Sequence, residues 1–573
     1  MKQRRMRDYL PALSWLQGYS VDYLKADMIA GIVVTMMLIP QSLAYALLAG
    51  MPAEVGLYAS ILPLVAYALF GSSRTLSVGP VAVVSLMTMV SLGNLVEQGT
   101  ADYLSAAIAL AFLSGLFLLI MGLFKLGFVA NFISHTVVSG FITALGIIIA
   151  LSQVPHLLGI SAEGDTLPKI IISLIDSTES VKPHTLLLGL LVLAFLFWAK
   201  TGVVPLLKRL GVSAKNAHLM TKAAPVMAVI ATIAAGWLWN LEQYGVAIVG
   251  HIPKGLPALV WPNLSYELFQ QLWIPALSIA VIGYVESVSV GKNLAAKRRE
   301  SIDPTQELIG LGAANIASAF SGGFPVTGGI SRTVVNFDAG AVTQAASIFA
   351  AIGIALACVY LTPVLYFLPK VTLAATIIVA VVAVVDFSIL KKTWQFSVND
   401  FRAVAVTLIG TLFFGVQVGV ICGVAVSILL YLYRTSMPHV AEVGLVDGTQ
   451  HFRNIKRYLV TTEPSVISLR VDESLFFANA SLLENLIYER VYQNDQIAHV
   501  VLMCSAVNEV DYSALEMLER VNERLAEQGI TLHLSEIKGP VMDTLRYSGF
   551  FQHLSGSIYL TQFDAFQALK TKN

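Results

Sequence analysis

The stretch "SGGFPVTGGISRT", residues 321 to 333, sets four glycines, a proline, Ser331 and Arg332 inside one of the most apolar regions of the chain. Glycine and proline interrupt helices, and hydrocarbon strongly disfavours a guanidinium. Such a segment reads as an extended break followed by a helix that opens at Ile330, with Gly329 just before it. A helix start leaves backbone N–H groups without intrahelical acceptors and carries about half a positive charge, so it attracts anions. Ser331 adds a hydroxyl that caps the helix or meets a ligand. Arg332 adds a full charge, either facing a wet cavity and an anion or held in a structural ion pair with Glu286. A second break, "TLSVG" at residues 75 to 79, precedes a helix opening at Pro80, a residue suited to a first helical turn. Gly79 and Pro80 would offer backbone groups to the same anion. Gln41, in "IPQSLAYA", supplies an amide to the opposite wall or to an interhelical hydrogen bond. Glu286, in "GYVESVSV", is the single carboxylate placed deep within a span, since Asp338, Asp386 and Glu54 fall near helix ends. A carboxylate at that depth costs about 3 kcal/mol unless it is protonated, paired or wetted. Three roles stay open for it: carrying a coupled proton, coordinating Na+, and pairing with Arg332.

The elements that position these residues must span a membrane. Of 573 residues, 56% are hydrophobic and 13% charged, more apolar surface than a water-soluble chain of this length can bury. Lys plus Arg and Asp plus Glu both number 36, and a net charge of zero gives no reason to expect a nucleic-acid partner. Cys358, Cys422 and Cys504 are far apart and lack metal-ligand or CxxC spacing. No HExxH, nucleophile elbow or Walker loop occurs. An enzyme, a metal centre, a cofactor and an ATP-driven pump are therefore not expected, which leaves an ion gradient or exchange as the driving force.

Apolar runs extend from about Asp27 to Tyr433 and then stop. This divides the chain into a basic N-terminal segment (1–26), read as cytoplasmic and retained, a transmembrane domain (27–438), and a linker with a soluble domain (439–573). In the last part, strand-like runs at Val466 to Val471, Val500 to Met503 and Ile530 to Leu534 alternate with helix-like ones, the pattern of an α/β unit. About fourteen spans begin near Ile29, Leu57, Pro80, Tyr103, Phe132, Leu186, Ala223, Ile274, Leu308, Ile330, Ala345, Leu373, Ala403 and Val418. The positive-inside rule then puts Lys2, Arg4, Arg5, Arg7, Arg74, Lys125, Lys200 to Lys222, Lys292 to Arg299, Lys391, Lys392 and Arg434 inside. Outside loops keep only scattered lysines: Lys169, Lys182, Lys254 and Lys370. Both termini and the soluble domain are thus expected in the cytoplasm. A polar residue and then, two segments on, a broken span occur once in each half: Gln41 before Gly79, and Glu286 before Gly328. With seven spans per half the second half must be inverted, the pattern of a transporter with its site at the repeat interface.

At these residues the chain resembles the sulfate permease (SulP) family, related to solute carrier family 26. The similarity runs nearly end to end through "PQSLAYALLAG" (40–50), "GLYASILPLVAYALFGSSR" (56–74), "SVGPVAVVS" (77–85), "ESVSVGKNLA" (286–295) and "ANIASAFSGGFPVTGGISRTVVNFDAG" (314–340), with a C-terminal domain similar to STAS. Val55 departs from the family's usual tyrosine. The resemblance implies a fourteen-helix, seven-plus-seven membrane domain with core and gate parts, an elevator-like motion and a homodimer. It places anion contacts at Gln41, Gly79 to Ala82, and Ser331 with Arg332, and the membrane carboxylate at Glu286. Glu286 followed by "SVSV" is closer to proton-coupled sulfate carriers than to sodium–bicarbonate members, so H+ is favoured over Na+ and sulfate over bicarbonate; C4-dicarboxylate:H+ and Na+:bicarbonate symport remain alternatives. In "CSAVNEVDYSALEMLER" (504–520), Tyr512 stands where anti-sigma antagonists carry a phosphorylatable serine, with Asp511 before it and Ser513 after. These three residues either regulate by contacting a cytoplasmic partner or simply begin a helix capped by Asp511. The expected function is proton-coupled uptake of an oxyanion across a bacterial inner membrane; the non-transport alternative is a membrane sensor or scaffold acting through the soluble domain.

Overall fold

The computed structural model describes residues 10–93, 95–131, 134–162, 164–209, 211, 221 and 223–570. The expected span start at Phe132 and the basic residues Lys2, Arg4, Arg5, Arg7 and Lys222 lie outside the described residues. Two compact units divide between Ser427 and Ile428. The first is helical: α1 (Val21–Leu48), α2 (Ala53–Phe70), α3 (Ala82–Gly93), α4 (Ala101–Leu123), α5 (His135–Ser152), α6 (Pro183–Arg209), α7 (Ala224–Trp239), α8 (Tyr266–Lys297), α9 (Pro304–Phe320), α10 (Ile330–Asp338), α11 (Ala345–Tyr360), α12 (Lys370–Val382), α13 (Val398–Phe414) and α14 (Val416–Ser436). Each corresponds to one expected span. Several begin before the hydropathy does, because their first turns are polar and capped. Ser20 accepts from the N–H of Tyr23, Ser265 from that of Leu268, and Asp303 from those of Thr305 and Gln306. By length and composition alone, among the described residues, α1, α2, α4, α6, α8, α14 and the run Thr136–Leu158 that continues α5 are sufficient to cross a bilayer; α3 and α10 are half-length.

Packing follows a seven-plus-seven scheme. Helix α1 packs on α11 and α8 on α4; α5 packs on α13 and α12 on α6. Exchanging each helix for its counterpart in the other half, seven places away, turns the first pairing of each set into the second, as a repeat requires. The two repeats meet where β1 (Val78–Gly79) pairs antiparallel with β2 (Thr327–Gly328), Val78 opposite Gly328 and Gly79 opposite Thr327. One large apolar cluster ties α1–α4 to α8–α11 and their neighbours. A separate one, including Val192, Leu196, Ala228, Val371 and Val379, joins α6, α7 and α12. Helices α1–α4 with α8–α11 form the core and α5–α7 with α12–α14 the gate, and the large cluster reaches into the gate at Ile233, Leu373 and Ile377.

The second unit carries a six-stranded sheet in the order β4-β3-β5-β6-β7-β8. Its strands are β3 (Val440–Leu445), β4 (Phe452–Asn454), β5 (Val466–Val471), β6 (His499–Met503), β7 (Thr531–Ser535) and β8 (Ile558–Tyr559). β5 through β8 run parallel, and β3 is antiparallel to both β4 and β5. Crossover helices α15 (Phe477–Tyr492) and α16 (Tyr512–Glu527) cover the sheet with side chains such as Leu483, Ile487, Met517 and Val521. Parallel strands need such crossovers.

Candidate functional site

Two helices interrupted at the same depth would expose unpaired peptide groups to hydrocarbon, which is not tolerated unless protein or water surrounds them. Here each break satisfies the other and is pinned by side chains. Gly329 N–H donates to Ser77 O (3.1 Å), and Ser77 N–H to the Thr333 hydroxyl (3.1 Å). Asn336 donates to Thr75 O (2.9 Å), and Asn315 both accepts from Val326 N–H and donates to Val326 O (2.9 Å each). Ser287 Oγ accepts the Gly328 N–H (2.9 Å). Across this crossing lies the guanidinium of Arg332, only 1% exposed. Its Nε donates to Ser77 O (2.8 Å), Nη1 to Pro80 O (2.6 Å), and Nη2 to Gly79 O (2.7 Å) and Thr327 O (2.8 Å). Four of its five N–H groups are thereby engaged.

That arrangement corrects the expectation that Arg332 faces a wet cavity. Gly79 and Pro80 turn carbonyls toward the arginine, and among the described residues no ion pair joins Arg332 to Glu286. The glycines have a matching reason. A Cβ on Gly329 would stand 2.8 Å from Arg332 Nε, and one on Gly328 2.8 Å from Ser287 Oγ, closer than carbon can approach. Glycine is there to admit the buckle.

A cavity of about 420 Å³ opens beside it, between core and gate. The core contributes Gln41 and Tyr45 of α1 with Ile330 and Ser331 of α10; the gate contributes Lys200 of α6 and Thr376 of α12. The first turn of α10 thus borders the cavity, and its N-cap Gly329 has no side-chain cap. The N–H groups of Ile330, Ser331 and Arg332 stand at the helix start, where no intrahelical acceptor exists. Gly79, Pro80, Val81 and Ala82 are buried and do not line this cavity, so the α3 break shapes the site from behind. Lys200, whose Nζ donates to Val379 O (3.1 Å), is a positive group the sequence reading assigned to an inside loop. Its position four residues after Leu196 on the gate face of α6 was the available signal.

Glu286 lies elsewhere, beside a cavity of about 30 Å³ among Val83, Val137, Phe141, Ile282 and Val420. Among the described residues it is one of three buried carboxylates, the other two standing near helix starts. Asp27 and Glu307 are equally enclosed, but both are satisfied. Glu307 accepts from Tyr67 Oη (2.7 Å), Ser72 N (2.8 Å), Ser72 Oγ (2.7 Å) and Ser73 N (2.9 Å). Asp27 accepts from Val342 N (2.7 Å), Thr343 N (3.0 Å), Thr343 Oγ1 (2.6 Å) and Tyr19 Oη (3.1 Å). Oε2 of Glu286 has no partner. In the second unit, Asp511 caps α16 through the Ala514 N–H (2.8 Å) and also accepts from Phe477 N–H (2.8 Å); Tyr512 and Ser513 are exposed beside it.

Comparison with known proteins agrees with this architecture. The profile of the Sulfate permease family matches residues 24–407, and that of the STAS domain residues 457–565. The chain is 34% identical to sulfate transporter 4.1, chloroplastic, of Arabidopsis thaliana, over 96% of this chain and 82% of that protein. It is 31% identical to a probable sulfate transporter of Mycobacterium tuberculosis, over 98% of each. The structure of the murine solute carrier 26 family member A9 anion transporter in the inward-facing state superposes with a TM-score of 0.88 at 25% identity, covering 99% of this chain and 95% of that one. With the family profile spanning residues 24–407 and relatives of this identity over most of their length, this chain belongs to the sulfate permease family.

Proposed function

We propose that this protein is a secondary transporter of oxyanions, sulfate first, driven by cotransported protons. The observation that carries the reading is the uncapped start of α10, which borders a cavity shared by core and gate. An anion there would take backbone N–H donors from Ile330 to Arg332, the Ser331 hydroxyl, the Gln41 amide and the field of Lys200. Arg332 would act on it only through its charge, since its donors hold the crossing together. Because the cavity has one wall in each part, moving the core past the gate would carry the anion from one membrane face to the other, an elevator motion. Glu286, packed outside the anion cavity with Oε2 unpartnered, is the group that would take and release the proton. Relatives named as sulfate transporters in a plant and a bacterium support the substrate class. The remaining features of the reading are a homodimer in a bacterial inner membrane, cytoplasmic termini, and regulation through Asp511, Tyr512 and Ser513.

Reconstituted liposomes test it. Radiolabelled sulfate should enter faster when an inward proton gradient is imposed, and Glu286→Gln should remove that acceleration. Unlabelled fumarate and bicarbonate are included as competitors. If fumarate or bicarbonate displaces the label better than sulfate does, the substrate assignment fails; if a sodium gradient replaces the proton gradient, the coupling assignment fails.

A further inference from the structure

The core–gate boundary holds a second, larger cavity, of about 630 Å³, at the other end of the same helices. On α6 the first cavity reaches Leu196 and Lys200; the second reaches Thr185 and, just before the helix begins, Lys182. At 1.5 Å per residue, Thr185 and Leu196 are separated by about 16 Å along the axis. On α1 and α12 the order is the same: Gln41 and Thr376 border the first cavity, Leu48 and Lys370 the second. The lining differs in kind. Where the first cavity is mostly apolar, this one gathers Gln98, Gln153, His156, Lys182, Thr185 and Lys370. Lys169 also lines it but is tied to Asp165 at 2.8 Å. Lys182 and Lys370 have no carboxylate within ion-pairing distance among the described residues. The Thr185 hydroxyl, on a residue 2% exposed, has no hydrogen-bond partner.

Three of the four lysines left scattered over the expected outside loops therefore converge on one cavity. We propose that this cavity is a second anion-binding site, an outer antechamber in which Lys182 and Lys370 concentrate an oxyanion before it reaches the start of α10. The inference rests on the anion-transport reading above. Two unpaired cations in a walled cleft focus field lines and raise local anion concentration, and Thr185 offers a donor that burial makes costly to leave unused.

Equilibrium binding of radiolabelled sulfate to the purified full-length protein at low ionic strength tests it apart from transport. Two classes of site are expected. Ser331→Ala should weaken the class at α10. The double variant Lys182→Gln/Lys370→Gln should weaken the other about tenfold and flatten its salt dependence, while Lys182→Arg/Lys370→Arg retains it. The thermal melt of each variant reports folding. The antechamber is overturned if the glutamine variant gives the wild-type isotherm, or if the arginine variant, folded, loses the class as completely. Loss of only the Ser331-dependent class from the wild-type isotherm would instead refute the proposed function.

Discussion

At the scale of single residues, chemistry and structure divide between neighbours on one helix turn. Ser331 borders the cavity, while Arg332 spends its donors on four backbone carbonyls. The two positions should therefore fail differently. Ser331→Ala should raise the KM for sulfate severalfold with the melting temperature within a degree or two, since it removes one neutral hydrogen bond of about 1 kcal/mol. Arg332→Gln should lower the melting temperature and abolish uptake together, because it strands several buried acceptors at about 1–3 kcal/mol each. Parallel uptake and melting measurements check the contrast, and an Arg332→Gln protein of wild-type stability would contradict the buckle. The sequence made the arginine legible as a buried charge beside glycines. It could not show that the charge answers to carbonyls, because three of the four acceptors come from Ser77 to Pro80, a distant segment whose pairing is fixed only in the fold. Lys200 was missed for the opposite reason: near the end of a long helix, a lysine over the cavity and a lysine in an inside loop have the same sequence surroundings.

At the scale of elements, periodicity and breakers revealed all the spans, but not their polar first turns. Ser20, Ser265 and Asp303 begin helices before hydropathy rises, so starts were placed late. In the STAS domain the sheet runs were legible as β-rich stretches, yet the contact between β6 and β7 was not. There His499 Nδ1 lies 2.7 Å from Thr531 Oγ1, and His533 Nε2 lies 2.8 Å from the same hydroxyl. Burial, with His499 alongside, lowers the His533 pKa from 6.5 to about 4, while its Nδ1 accepts the Ser557 N–H (2.9 Å). Between about pH 6.5 and 4 the unfolded chain binds a proton here that the folded domain refuses, so stability falls as pH falls through that window. Hydrogen exchange at β6 and β7 in the full-length protein should show weaker protection at pH 5 than at pH 7. Replacing His533 with Gln should reduce that difference; an unchanged difference would assign the pH effect to other groups.

At the scale of the whole molecule, the inverted halves explain why two breaks exist and why they cross, and the core–gate boundary explains why cavities lie at both ends of the same helices. The proposed alternating access would need an anion-attracting lining at each end of that boundary. The account's central claim is that the anion binds at the start of α10 and not at the guanidinium behind it. Selenate, a heavier analogue of sulfate, allows that to be seen in an experimental structure of the purified protein. The account predicts selenate density within hydrogen-bonding distance of the Ile330 and Ser331 N–H groups and the Gln41 side chain, with Arg332 still bonded to Ser77, Gly79, Pro80 and Thr327. Density seated on Arg332, with those four carbonyls released, would contradict it.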